Sequence, residues 1–269
     1  MAFAKDLQTK AIQRGRLCAG IDPHPGLLES WGVDLATFSR ICVEAFADTV
    51  ALVKPQVAFY EAHGSKGYAI LEETIEGLKQ GGALVLADAK RGDIGSTMAG
   101  YADAWLDPQS PLAVDAVTVS PYLGFHSLDP VLNKANEHCK GVYVLAATSN
   151  PEGASVQKAT TSKGITLAQD MVNQAGEFNK QHADESGFGP VGVVIGATLT
   201  DAPTLTELNG PVLLPGVGAQ GATMEDVARL TVGVEAVSFP NISRAILSKG
   251  PDVQALREAV AEAVAQIGD

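Results

Sequence analysis

The sequence predicts a single (β/α)8 barrel of the α/β class, and three observations carry that expectation. The chain has 269 residues. One α/β barrel occupies about 200 to 250 residues, so residues 1–269 are read as one domain with short extensions. Short apolar runs alternate with longer segments of helical period, the pattern of repeated βα units on a parallel sheet. Hydrophobic residues make up 46% and aromatic residues only 6%; with Ala, Val and Gly abundant, this suits closely packed parallel strands better than an aromatic-rich sandwich.

Eight runs read as strands, at 17–21, 50–53, 83–87, 116–119, 142–147, 191–195, 212–214 and 234–239. The third, fifth and sixth lack polar alternation, as expected of strands covered on both faces. Between the first two runs, Leu35, Phe38, Ile41, Ala45 and Phe46 recur at helical spacing, and Ile165, Ala168, Met171, Val172, Ala175 and Phe178 do so before the sixth. Val253, Leu256, Val260 and Val264 close the chain in the same way. Eight repeats without a distinct linker favour a closed barrel over a doubly wound sheet, which shares much of the pattern. The Pro- and Gly-bearing stretches 107–111 and 150–153 read as long loops between elements.

A formal charge of −12 repels a phosphate backbone at long range, which excludes nucleic acid as a partner better than it excludes a small anionic metabolite. Cys18, Cys42 and Cys139 form no CxxC and leave an odd thiol, so neither a disulfide framework nor a zinc site is expected. No stretch approaches the roughly 18 apolar residues of a spanning helix, and the first residues carry charges rather than an apolar targeting core. The expectation is a cytoplasmic protein with no membrane partner. The five histidines show no metal-ligand spacing, and His24 alone falls near the expected barrel mouth.

Reactive groups in such a barrel lie at the C-terminal ends of the strands, so the residues just beyond each run are informative. Strand one runs into Asp22, strand two into Lys54, strand three into Asp88 and Lys90, strand five into Thr148 and Ser149, strand seven into 215–221, and strand eight into 241–244. Two residues apart on a strand means one face, so Asp88 and Lys90 both point into the mouth. There the carboxylate keeps the neighbouring ammonium protonated. A solvated turn of mixed charge would explain this run but not the matching charges at Asp22 and Lys54. The glycines of 215–221, among them Gly218 and Gly221, let backbone N–H groups approach an anion. With Ser243 and Arg244 after strand eight, they coincide with the usual phosphate site of such barrels, where Arg244 offers a bidentate contact.

With these residues in hand, the sequence resembles the orotidine 5'-phosphate decarboxylase family, in particular its longer bacterial branch. Asp88, Lys90 and Asp93 fit its Asp-x-Lys-x-x-Asp motif, Ile94 and Thr97 its continuation, Asp22 and Lys54 its strand-one aspartate and strand-two lysine, and 215–221 its phosphate lid with the glutamine at Gln220. The resemblance implies cofactor-free, metal-free conversion of orotidine 5'-phosphate to UMP and CO2 in pyrimidine biosynthesis, by Lys54, Asp88, Lys90 and Asp93 as an alternating charge network. It implies a homodimer in which Asp93 and Thr97 serve the partner's site. It further implies that Asp22 and Lys54 hold ribose hydroxyls, Ser149 contacts the pyrimidine, Gln220 bridges base and phosphate, and Arg244 binds phosphate. Two rivals share features of this pattern. One is the metal-assisted aldolase of hexulose-phosphate synthase type; the other is a nucleotide-binding protein that kept the fold and lost catalysis.

Overall fold

The computed structural model describes residues 2–218 and 221–268. Eight parallel strands, β1 (Cys18–Ile21), β2 (Leu52–Pro55), β3 (Leu84–Arg91), β4 (Ala116–Val119), β5 (Gly141–Ala147), β6 (Val191–Ile195), β7 (Val212–Pro215) and β8 (Ser238–Ile242), close into a barrel in sequence order. β8 pairs with both β7 and β1. Each strand is buried along almost its whole length, because one face looks into the barrel and the other onto the outer helices.

The three helical patterns form where their periodicity places them, as Leu35–Phe46, Leu167–His182 and Val253–Ile267. Each starts on a side-chain oxygen cap: Asp34 accepts from the Thr37 N–H, Thr166 from Gln169, and Asp252 from Ala255. These caps satisfy N–H groups that the first turn leaves unpaired. Their buried faces form the larger apolar core between sheet and helices.

Two expectations need correction. The eighth strand is not 234–239 but Ser238–Ile242, preceded by a single 3-10 turn at Glu235–Val237. Pro240 and Asn241 read as strand terminators because proline donates no ladder hydrogen bond and asparagine is polar. Pro240 is nevertheless held in register opposite Leu214, and the Asn241 side chain bonds the Cys18 carbonyl at 3.0 Å. The repeat is also incomplete: among the described residues no helix joins β6 to β7. The connection 196–211 carries Gly196, Pro203, Gly210 and Pro211, which break any helical run.

Inside the barrel a second, smaller apolar cluster fills the lower half, and the N-terminal helix Phe3–Arg14 seals it from below through Phe3, Leu7 and Ala11. Phe3 meets Tyr143 edge-on with ring centroids 6.3 Å apart. Gly141, the first residue of β5, permits this contact; a Cβ there would lie 2.3 Å from the Phe3 ring. The floor is thus closed and apolar, leaving only the C-terminal ends of the strands open to ligand. No helix among the described residues is long and apolar enough to cross a membrane.

Candidate active site

At that open end lies a cavity of about 250 Å³ lined by Asp22, Lys54, Asp88, Lys90, Ser243 and Arg244, with Gln56, Thr148 and Asn241. Strand pleating brings the charges together, since the residues two apart along each strand share the inner face. Lys54 Nζ donates to Asp88 Oδ2 at 2.9 Å and lies 3.9 Å from Asp22 Oδ1. Lys90 Nζ donates to the other oxygen, Asp88 Oδ1, at 2.5 Å. The row therefore alternates in sign from Asp22 to Lys90.

Burial makes these contacts strong and sets the charge states. Lys54 is 3% and Asp88 8% exposed. Burial alone would raise the Asp88 carboxyl, but the charge of Lys54, then that of Lys90, and the hydrogen bonds from both outweigh it and hold the group far below the usual carboxylate range. Burial would likewise lower Lys54. The charges of Asp88 and Asp22 prevail and hold the ammonium protonated well above the ordinary lysine range. Lys90 sits at the edge, its side chain 46% exposed, so one ammonium is locked at the back and another faces the ligand space.

Two residues of this site escape the sequence reading: Gln56 Nε2 donates to Asp88 Oδ2 at 2.7 Å, and Thr118 Oγ1 donates to Asp88 Oδ1 at 3.0 Å. Asn241, among the residues expected after strand eight, lines the wall. Ser243 Oγ donates to Asp22 Oδ2 at 2.6 Å. That approach needs Gly20, where a Cβ would stand 2.7 Å from the Ser243 Cβ.

Other expected residues lie elsewhere. Asp93 sits past the end of β3, its Oδ1 accepting from the Ile94 N–H at 2.8 Å, and Thr97 is exposed in the first turn of helix Gly95–Leu106; neither lines the cavity. At the end of β5 the cavity is lined by Thr148, whereas Ser149 lines a neighbouring cavity of about 230 Å³. Its cause is a register shift: Leu145 faces Val194 and Ala147 faces Ile195, so β5 carries an extra residue and the inward parity flips. After β7, Gly216 and Val217 line the cavity. The Gly218 N–H bonds the Ala222 carbonyl and the Gly221 N–H bonds the Gly218 carbonyl, so both close a turn within the loop. Gln220 lies outside the described residues. His24 packs against the Phe59 ring at 4.3 Å and lines, with Asp22, Asp88 and Lys90, a second opening beside the main cavity.

Such a site can grip an anion at Arg244, hold hydroxyls at Asp22 and Lys54, and present a protonated amine to a reacting carbon. Comparison with known proteins agrees in fold and in name. Residues 15–259 match the model of the Orotidine 5'-phosphate decarboxylase / HUMPS family. The chain is 59% identical to an orotidine 5'-phosphate decarboxylase of Corynebacterium efficiens, over 98% of this chain and 96% of that one. It is 57% identical to its counterpart in Corynebacterium glutamicum strain R, over 98% and 97%. A crystal structure from Streptomyces avermitilis, described under the same enzyme name, superposes with a TM-score of 0.94 at 47% identity, covering 99% of this chain and 94% of that one.

Proposed function

The chain belongs to the orotidine 5'-phosphate decarboxylase / HUMPS family, and from that premise we propose that it is a carboxy-lyase converting orotidine 5'-phosphate to UMP and CO2. The observation that carries the reading is the Lys54–Asp88–Lys90 chain at the mouth of the barrel, buried at Lys54 and Asp88 and open at Lys90, in a protein whose relatives bear that enzyme's name over nearly their full length.

The chemistry is dictated by the charges. Cleavage of the bond between C6 and the carboxylate releases CO2 and leaves the electron pair on C6, where no adjacent carbonyl accepts it. A fixed cation is then the available stabiliser. The Lys90 ammonium faces the ligand space, stabilises the developing carbanion and donates its proton to C6, to be reprotonated from solvent. Asp88 orients that ammonium and stands near the departing carboxylate. Asp22 and Lys54 take the ribose hydroxyls, Arg244 with Ser243 and the 215–221 loop takes the phosphate, and Gln220 bridges base and phosphate. Thr148, which the register shift at the end of β5 turns into the cavity in place of Ser149, faces the pyrimidine. Binding energy from the phosphate then assists the chemistry at C6.

We further infer a homodimer with shared sites, Asp93 and Thr97 reaching across to the partner's ligand. Its support is an exposed apolar group beside Asp93: Ile94 is 62%, Tyr122 79% and Leu123 54% exposed. The ends of β3 and β4 that carry them adjoin, Ser120 N–H bonding the Arg91 carbonyl at 2.7 Å. Three free cysteines, two of them buried, support a cytoplasmic setting.

One assay tests the function. The purified protein, in EDTA, is mixed with orotidine 5'-phosphate, and loss of pyrimidine absorbance is followed together with UMP formation. Stoichiometric UMP is expected. Activity lost to EDTA, or turnover of ribulose 5-phosphate with formaldehyde, points instead to the aldolase chemistry; UMP binding without turnover points to a silent nucleotide-binding protein.

A further inference from the structure

Strand β4 has the sequence Ala-Val-Thr-Val, and its one polar residue, Thr118, is completely buried. A β-branched residue suits a central strand, so its presence there needs no special cause. Its partners do. β3 pairs with β4 at Ala87 opposite Val117 and next at Arg91 opposite Val119, so three residues of β3, 88–90, stand against Thr118 alone. The bulge carries both Asp88 and Lys90. Within it Lys90 adopts φ of +49°, a left-handed conformation that a long L side chain rarely takes and that persists only where its surroundings over-determine it.

The surroundings that do so can be named. The Lys90 N–H, inside the bulge, donates to Thr118 Oγ1 at 2.9 Å. That hydroxyl donates to Asp88 Oδ1 at 3.0 Å, with the Ala87 carbonyl a more distant acceptor at 3.5 Å. One hydroxyl thus accepts from the backbone of the lysine and donates to the carboxylate that grips the same lysine's ammonium, which satisfies its donor and acceptor capacity together. The ladder resumes immediately, with Ser120 N–H on the Arg91 carbonyl. On the far side, Arg91 Nη1 donates to the Ala89 carbonyl at 3.0 Å.

We propose that Thr118 is a positioning residue for the reacting ammonium: its hydroxyl caps the β3 bulge and so fixes the left-handed turn that delivers Lys90 Nζ to Asp88 and to the substrate carbon. This rests on Lys90 being the proton donor. Thr118 itself does not touch the reacting atoms; it acts through Lys90 and Asp88.

Thr118→Val keeps the shape and removes the hydroxyl, and Thr118→Ser keeps the hydroxyl and removes the methyl. The valine variant should lose about 10- to 100-fold in kcat, the scale on which a small misplacement of a catalytic group acts. KM and UMP affinity should move less than about threefold, because ground-state binding does not use the cap. The serine variant should recover most of the lost kcat. Wild-type kcat in the valine variant overturns the proposal. So does a serine variant as slow as valine, or a parallel loss of kcat and UMP affinity, which marks a merely structural role. If the valine variant does not fold, Thr118→Ala is read by the same criteria. A crystal structure of the substituted protein separates this idea from the assignment of the reaction. Lys90 should leave the left-handed region whether or not the wild type decarboxylates orotidylate, and an unchanged Lys90 backbone overturns the capping role.

Discussion

The two ends of the barrel interior are built from the same strands and hold opposite chemistries. At the floor, Cys18, Leu52, Leu84 and Phe239 pack with Phe3 and Leu7 in a closed apolar cluster. Two residues further along the same inward faces, Lys54 succeeds Leu52 and Asn241 succeeds Phe239; Asp22 and Asp88 lie four beyond Cys18 and Leu84. Pleating keeps each series on one face, so the change from apolar to ionic happens within about 7 to 13 Å of strand at the usual rise per residue. The floor supplies hydrophobic burial, and with its helix it leaves the mouth as the open end. The mouth spends part of that stability on buried charges whose proposed use is chemical. If this division holds, substitutions at the mouth should act on turnover and substitutions at the floor on stability.

The largest expected effect tests the mouth. Lys90→Ala should lower kcat by at least about 1,000-fold, because in the proposed mechanism it removes both the stabilising cation and the proton donor. Melting should shift less than turnover, since nearly half of the lysine side chain is exposed and the buried Asp88 carboxylate keeps Lys54 at 2.9 Å. The same variant sharpens the shared-site reading. Mixed and reassembled with Asp93→Asn subunits, it should recover about one quarter of wild-type activity through random pairing into twofold dimers; no recovery means that Asp93 serves its own subunit.

Asp88→Asn is where the division should break. Asp88 is a mouth residue, yet it is buried, and its loss leaves the Lys54 ammonium buried with only Asp22 at 3.9 Å. Breaking a buried pair in this way costs about 3 to 5 kcal/mol, so this variant should lose stability as well as turnover in chemical denaturation. The sign with pH is fixed by the directions of the shifts. The folded carboxyl titrates below its ordinary value of 3.8, so its contribution is present above 3.8 and is lost as pH falls through the lower folded value. Lys54 titrates above its ordinary 10.5, so its contribution is present below 10.5 and is lost as pH rises through the folded value. The stability gap between wild type and variant should be flat through neutral pH and narrow at both extremes. A gap that changes between pH 6 and 8 would contradict the assignment.

How much of this is legible in sequence depends on whether parity survives along a strand. Where strands are regular, counting by two from an apolar floor residue reaches the site: Leu52 leads to Lys54 and then Gln56, and Ala116 leads to Thr118. Gln56 and Thr118 are therefore legible by period, although neither carries the charge that singles out Lys54 and Asp88. At β5 the count from Tyr143 through Leu145 arrives at Ser149, but the extra residue at the β5–β6 register shift delivers Thr148 instead. No local pattern announces such a bulge, because pairing with a neighbouring strand sets it. The end of β8 is misplaced for a related reason, since Pro240 and Asn241 are poor strand residues that neighbours on both sides hold in the ladder. The charges at Asp22, Lys54 and Asp88 stand out because each comes directly after an apolar run, and Lys90 because it lies two residues beyond Asp88. The contacts that orient them do not, because they cross between strands.

At the floor, Leu7→Ala should cost about 2 to 5 kcal/mol in denaturant, the range for truncating a fully buried leucine, with kcat of the folded protein unchanged. Leu7 is completely buried against the interior cluster. A fall in kcat at unchanged fold would mean that the floor helps shape the mouth, and the two regions would not be separable.

The smallest effect is the most discriminating. Tyr143 is an inward residue of β5, completely buried, and among the described residues its hydroxyl has no hydrogen-bond partner. Burial, with the nearby Cys18 thiol adding to it, pushes the phenol well above its ordinary range, so the group stays neutral and its cost is that of a desolvated hydroxyl. Removing a buried hydroxyl that pairs with nothing relieves a penalty of about 1 to 3 kcal/mol, offset in part by the small void left behind. Tyr143→Phe keeps the ring that meets Phe3 and should therefore be neutral or stabilising by about 1 kcal/mol, with kcat unchanged. A loss of more than about 1 kcal/mol would show that the hydroxyl is paired in solution. The floor would then contain a polar contact of its own, and the boundary between the apolar and ionic halves of the barrel would lie lower than the side chains of β1, β2 and β3 place it.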